Sequence, residues 1–229
     1  MRWVITGANR GLGLEFVRQL AARGESVEAG ARDPAGSPKL RELATASGDR
    51  VRVHPCDVAD DASVRAFAKA IGQVPVDVVL NNAGIMGKMQ AFDELDLADV
   101  ARTFDVNALG PIRVTRALLG QLMLGKTRRV AHITSGMGSI GDNGSGGSYG
   151  YRMSKAALNM MNKSLSVDYA DRGFTCVVVN PGWVQTDMGG SHAPTPVEDS
   201  VAKMLARLDG LTPSDNGSFV DYKGGTYPW

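Results

Sequence analysis

The sequence predicts an α/β fold: a single doubly wound domain over residues 1–229, with a parallel sheet of about seven strands and helices on both faces. Three observations lead there. Short apolar runs of strand length alternate with amphipathic stretches of helical length along the whole chain. The first apolar run passes directly into a glycine-rich turn and a helical pattern. No interior linker, repeat or charge run divides the chain, and 229 residues are enough for one core covered on both sides of a sheet.

The strand-like runs are Arg2–Ile5, Ser26–Ala31, Val51–Pro55, Val76–Leu80, Val130–Thr134, Cys176–Asn180 and Ser218–Asp221. Between them lie helical segments at Leu14–Arg23, Ser37–Ala46, Ala62–Ile71, Leu97–Asp105, Ala108–Leu124, Arg152–Asp171 and Val197–Arg207. In the first of these, Leu14, Phe16, Val17, Leu20 and Ala21 set the helical period. Strands separated by helices imply parallel pairing through right-handed crossovers. A ligand is then expected across the carboxyl ends of the strands, where the strand order reverses. Gly141-Asp-Asn-Gly-Ser-Gly-Gly147 is too short and too central for a linker, and it reads as a flexible loop beside that site.

Two segments carry the chemistry. In Thr6-Gly-Ala-Asn-Arg-Gly-Leu-Gly13, the glycines at 7, 11 and 13 let the backbone approach a pyrophosphate, whose charge is stabilised by the open N–H groups of the helix start. The spacing differs from G-x-G-x-x-G, so the strand before and the helix after carry much of this inference. In Tyr151-Arg-Met-Ser-Lys155, a helix places the phenol and the ammonium four apart on one face. A cation roughly 4 Å away at an effective dielectric of ~20 favours the phenolate by about 4 kcal/mol before desolvation, enough to bring the phenol toward working pH. Ser135, at the end of an apolar strand, offers a hydroxyl to hold a carbonyl or alcohol oxygen while Tyr151 moves its proton. Tyr149, Ser139, Ser145 and Ser148 are decoys, because only Tyr151 has a lysine four residues on and only Ser135 ends a strand.

Composition excludes several classes. With 25 basic and 24 acidic residues the formal net charge is +1, which leaves no footprint for nucleic acid or a membrane surface. No apolar stretch approaches the ~18 residues of a spanning helix, and the chain opens inside its first strand, so a soluble cytoplasmic protein is expected. Cys56 and Cys176 lie in or beside apolar runs and read as buried thiols, with no metal-ligand spacing around either. His132 falls mid-strand and His192 in a loop without a diagnostic carboxylate, so neither is a catalytic candidate.

Seven motifs stand in fixed order: Thr6-Gly-x-x-x-Gly-x-Gly13, Asp57-Val58, Asn81-Asn-Ala-Gly84, Asn107, Ser135, Tyr151-x-x-x-Lys155, and Pro181-Gly182 followed by Thr186. On these the chain resembles a single-domain member of the short-chain dehydrogenase/reductase superfamily, with a Rossmann-type fold. Gly150-Tyr-Arg-Met-Ser-Lys-Ala-Ala-Leu-Asn159, Pro181-Gly-Trp-Val-Gln-Thr-Asp-Met-Gly-Gly190 and Pro228-Trp229 make it similar to the branch of C-factor and sniffer-like carbonyl reductases. The resemblance implies a dinucleotide bound by Thr6, Gly7, Asn9, Arg10, Gly11, Leu12, Gly13, Arg32, Asp57, Val58, Asn82, Ala83, Gly84, Tyr151, Lys155, Pro181, Gly182, Val184 and Thr186. It also implies a catalytic set of Asn107, Ser135, Tyr151 and Lys155, in which the carbonyl of Asn107 in a distorted helix holds a water that connects to the lysine. Each of the motifs also has a plainer reading. Asp57 either bonds an adenine amino group or caps the next helix, Asn81–Gly84 either lines the adenosine side or is only a turn, and Thr186 either bonds the nicotinamide amide or caps a short helix.

Cofactor choice rests on Gly30-Ala-Arg-Asp33. An acid at the end of the second strand selects a free ribose hydroxyl, and an arginine favours a 2′-phosphate. Ala31 stands at the expected acid position with Arg32 next, and Arg10 can approach the same phosphate. Asp33, about twenty residues past the glycine turn, is the complication. In the family this order goes with NADPH. The expected function is therefore an NADPH-dependent oxidoreductase of the carbonyl reductase type acting on a small-molecule carbonyl or alcohol, with Ile85, Met86, Met137, Tyr149 and Trp183 as apolar pocket walls. The competing reading is an NADP(H)-binding signalling protein of C-factor type with incidental turnover. A homodimer through the two long helices is expected, with Leu158, Met161 and Leu165 serving either the interface or the core.

Overall fold

The computed structural model describes residues 1–229 as seven strands, β1 Arg2–Thr6, β2 Ser26–Ala31, β3 Val51–Pro55, β4 Val78–Asn81, β5 Arg129–Ile133, β6 Thr175–Asn180 and β7 Ser218–Asp221. Eight α-helices join them: α1 Gly11–Ala22, α2 Pro38–Ser47, α3 Asp61–Ile71, α4 Leu97–Phe104, α5 Gly110–Ala117, α6 Leu119–Leu124, α7 Tyr149–Asp168 and α8 Val197–Asp209. All strand pairs are parallel, in the order β3-β2-β1-β4-β5-β6-β7. The order reverses between β1 and β4, whose carboxyl ends frame the cleft where a doubly wound sheet binds ligands.

Alternation along each strand divides the core into two layers. Trp3 and Ile5 pack with Phe16, Leu20, Met204 and Leu208 beneath α1, α2 and α8, while Val4 and Val79 pack with Phe67, Val114, Leu118 and Leu122 beneath α3, α5 and α6. Leu158 is buried in the core, and Leu165 is partly buried and packs on the second layer. Cys56 and Cys176 are buried free thiols pushed up to about 12, by burial foremost and at Cys56 also by the Asp57 charge.

The sequence boundaries differ from the fold in a few places. The helix expected at Ala108–Leu124 is broken into a π-turn at Asp105–Leu109, then α5, then α6, with Leu118 at the break. Leu118 donates to both Val114 and Thr115 carbonyls, which tightens the last turn of α5. Helix α1 starts three residues earlier than its apolar period indicates, because the period begins only after the glycines.

Glu28 on β2 is almost fully buried and gathers Arg2 at 2.9 Å, His54 at 2.8 Å and Arg52. Burial pushes this carboxyl up, but hydrogen bonds from His54 and Arg52 outweigh it and leave it lowered. Its contribution to stability is therefore complete at neutral pH and is lost as pH falls below the usual carboxylate range. Glu28→Gln should cost about 1–3 kcal/mol in a urea melt at pH 7, with the difference from wild type shrinking in acid.

Candidate active site

The carboxyl ends of β1, β4, β5 and β6 open into one cavity of about 870 Å³. Its floor is the glycine turn. Gly7 has φ +65°, and a Cβ there would lie 2.8 Å from Ala83 Cα, so only glycine fits. A Cβ on Gly13 would run into the Gly7 carbonyl and Asn82 Nδ2. Asn82 locks this packing by donating to the Thr6 and Gly7 carbonyls at 2.9 and 3.1 Å, and Thr6 Oγ1 accepts from the N–H groups of Asn82 and Ala83. Thr6 and Gly13 are buried behind the cavity wall, where they shape the turn. Asn9, Arg10, Gly11 and Leu12 line it, as do Asp57, Val58, Asn82, Ala83 and Gly84.

Helix α1 has no side-chain cap and no acid in its first turn, whereas α3 and α4 are capped by Asp60 and Asp96. Its first N–H groups are left for an anion. Because Asp60 is the cap of α3, Asp57 is not. Its carboxylate accepts from Ala59 N at 3.0 Å while the residue borders the cavity. At the β2 end, Asp33 turns away and accepts from Gly36 N at 3.0 Å, while Arg32 is exposed, borders the cavity and makes no ion pair. Arg10 instead pairs at 2.8 Å with Asp187 on the opposite lip, both well exposed.

Ser135 lies two residues past the end of β5 and caps a short 3-10 turn by accepting from Met137 N at 3.1 Å. Its one proton remains to be donated, toward the neighbouring Tyr151 oxygen or a ligand oxygen. Ser139 is buried and accepts from Asp142 N, and Ser145 is held by Arg152. Tyr151 and Lys155 both enter the cavity from α7. Lys155 Nζ donates to Ile133 O at 2.7 Å and lies 5.7 Å from the Tyr151 ring centroid. Burial pushes the phenol up to about 12, with the Ser135 hydroxyl opposing, and the same burial lowers the ammonium to about 8. In the free protein burial thus carries the phenol upward, opposite to the expected drop toward neutral pH.

Tyr149 is a second correction. Two residues from Tyr151 on a helix is 200° around the axis, so with Tyr151 inward Tyr149 must face away. It packs on Phe92 at 5.3 Å between centroids and does not border the cavity. Ile85, Met86, Met137 and Trp183 do. Pro181, Gly182, Val184 and Thr186 form the far wall, where Thr186 Oγ1 accepts from Gly189 N at 3.1 Å and so caps its own turn as well.

Asn107 lies behind Gly84. Its amide bonds Ile85 N and Ile85 O, both at 2.8 Å, and donates to Ser154 Oγ at 3.0 Å, tying the π-turn to α7. Four residues past it stands Pro111, which has no N–H, so the Asn107 carbonyl has no donor at the α-helical spacing. That proline is a signal of the distorted helix the sequence reading passed over. His132 is fully buried in β5 against Asn81 Nδ2 at 3.1 Å, and burial, then the Lys155 charge, lower it to about 3.

Residues 2–196 match the family model described as short chain dehydrogenase. The chain belongs to the short-chain dehydrogenase/reductase family. It is an oxidoreductase of that family. The C-signal of Myxococcus xanthus is 55% identical over 166 residues, which are 72% of this chain and all of that protein. Among solved structures, NADPH-bound carbonyl reductase from chicken fatty liver superposes with a TM-score of 0.94 at 34% identity, covering 100% of this chain and 98% of that one. The carbonyl reductase Sniffer of D. melanogaster does so with a TM-score of 0.94 at 31% identity, covering 100% and 99%. No helix of the chain is long and apolar enough to cross a membrane.

Burying Lys155 as an ammonium costs stability at neutral pH, where both folded and unfolded chains hold its proton. The cost is relieved as pH rises from about 8 toward 10.5, because there the unfolded chain binds more protons. Lys155→Met should thus be more stable than wild type at pH 7 by on the order of 1–3 kcal/mol, with a smaller gap in urea melts near pH 10. A less stable variant with a gap independent of pH would contradict the burial cost.

Proposed function

We propose that this oxidoreductase is an NADPH-dependent carbonyl reductase acting on an apolar or aromatic carbonyl compound, and in reverse an alcohol dehydrogenase. The observation that carries it is the convergence on one cavity of the glycine turn, the unpaired Arg32 guanidinium and the Ser135, Tyr151 and Lys155 side chains. Likeness to a carbonyl reductase described as NADPH-bound supports the cofactor.

The residues present fit a nicotinamide dinucleotide. Lys155 Nζ gives one hydrogen bond to Ile133 O, which leaves two of its three donors for the ribose hydroxyls of such a ligand. The uncapped N-terminus of α1 suits the pyrophosphate and Arg32 a 2′-phosphate. The cofactor, when bound, supplies the hydride. Ser135 donates to the substrate oxygen, Tyr151 gives it the phenol proton, and Lys155 holds the phenol's surroundings positive. The Asn107 carbonyl is the place for a water that returns the proton.

A second reading, an NADP(H)-binding signalling protein, draws support from the identity to the C-signal. The intact Ser135, Tyr151, Lys155 and Asn107 set favours the enzyme. A panel of ketones, aldehydes and quinones screened for NADPH oxidation separates the two, and NADPH binding without oxidation of any compound would favour signalling. The reading is completed by a cytoplasmic location and a homodimer, in which exposed Met153, Met160 and Val167, seven apart on α7, meet a partner copy. A light-scattering mass equal to one chain would remove the dimer.

NADPH should bind more tightly than NADH, and Arg32→Ala should narrow the gap by about 1.5–3 kcal/mol. Fluorescence of Trp183, which borders the cavity, reports both titrations. Equal affinity in the unmodified protein would show that Arg32 does not govern the site.

Tyr151→Phe removes only the hydroxyl, so NADPH affinity should survive while kcat falls by ~10²–10⁴. Tyr149→Phe should keep its rate. An inactive Tyr149→Phe beside an active Tyr151→Phe would overturn the assignment of the proton donor.

A further inference from the structure

Tyr227 is absent from every motif of the family, yet it borders the cavity beside Ser135. The backbone after β7 brings it there. Val220 and Thr226 form an antiparallel bridge, and Tyr227 N donates to Phe219 O at 2.8 Å. The Tyr227 ring stacks on buried Phe219, with centroids 5.1 Å apart and planes at 28°, and the Trp229 ring packs on the same phenylalanine at 5.6 Å. The Trp229 carbonyl accepts from Gly141 N at 2.8 Å, so residues 226–229 are tied both to the sheet and to the glycine-rich loop.

The ring covers Gly136, the residue after Ser135. A Cβ on Gly136 would lie 3.1 Å from the Tyr227 hydroxyl and 3.2 Å from its ring carbons, so the missing side chain is the space the ring fills. Trp183 stands nearby, 60% exposed, with its indole N–H fixed on Gly189 O at 2.7 Å. Both rings border the main cavity and the smaller one adjoining it, which puts them together at the rim. Two rigid aromatic faces held by backbone hydrogen bonds need no reordering to receive a flat group.

We propose that Tyr227 is a specificity-determining residue, whose ring, with the Trp183 indole, takes a planar aromatic substituent on a carbonyl compound whose oxygen lies at Ser135. This rests on the carbonyl reductase reading and names the part of the substrate that the rim selects. The hydroxyl of Tyr227 is not required for it, because the ring supplies the contact.

Tyr227→Ala, Tyr227→Leu and Tyr227→Phe separate ring, volume and hydroxyl, with thermal melts to show that each variant is folded. For an aryl ketone, Tyr227→Ala and Tyr227→Leu should raise KM about 10-fold with little change in kcat, while Tyr227→Phe stays near wild type. For a small aliphatic ketone all three should keep kcat/KM, and NADPH affinity should not move. Equal losses on both ketones, or a Tyr227→Phe as impaired as Tyr227→Ala, would overturn the proposal. Direct titration of the aryl ketone into the protein loaded with NADP⁺, which has no hydride to give it, makes the test independent of turnover, with about 10-fold weaker binding to Tyr227→Ala expected and equal affinity contradicting it. A wild-type protein inactive on every carbonyl compound would instead contradict the reductase reading alone.

Discussion

The burial of the Lys155 ammonium is the constraint around which the site is arranged. At 4% exposure it lies in the wall of the cleft with the Ile133 carbonyl as its partner, and this bond fixes α7 against the end of β5. The same helix is held by Asn159, which accepts from Thr134 Oγ1 at 2.7 Å and donates to Gly138 O at 3.2 Å, and by the Asn107 to Ser154 bond. Tyr151, one turn earlier, is thereby set beside Ser135. Burial resists charge on both members of the pair, lowering the ammonium and raising the phenol. A phenol kept neutral holds its proton in readiness, which is the state needed to reduce a carbonyl.

The opposite half of the cleft is built by a different device, close backbone approach. Gly7 against Ala83 and Gly13 against Asn82 bring the ends of β1 and β4 together, and Thr6 and Asn82 staple them. Since no side chain caps α1, its open N–H groups face the cavity. The two halves meet at the switch in strand order, so a ligand's charged end and its reacting end are placed by separate elements of one sheet.

Much of this was legible because it depends on local spacing. A spacing of four from Tyr151 to Lys155, a serine just past an apolar strand, and glycines between a strand and a helix read directly into geometry. Features that depend on tertiary contact did not. Arg32 and Asp33 are adjacent and point to opposite cofactors until the turn to Gly36 takes the carboxylate away. Tyr227 reaches the cavity only through its pairing with β7, more than seventy residues from the tyrosine it neighbours in function. One error was avoidable, since helical geometry already turns Tyr149 away from Tyr151, and one signal was missed, since Pro111 already denies Asn107 its helical partner and supports the distorted helix expected there. The phenol's direction of shift was not avoidable, because desolvation is unknown until the depth of the site is known.

The central claim is that burial keeps the Tyr151 phenol protonated in the free protein. An ultraviolet difference titration of wild type against Tyr151→Phe, without cofactor, isolates that one phenol. The account predicts that it stays un-ionised past the ordinary tyrosine midpoint of about 10. A phenolate appearing near neutral pH would show that the Lys155 charge, and not burial, governs the site.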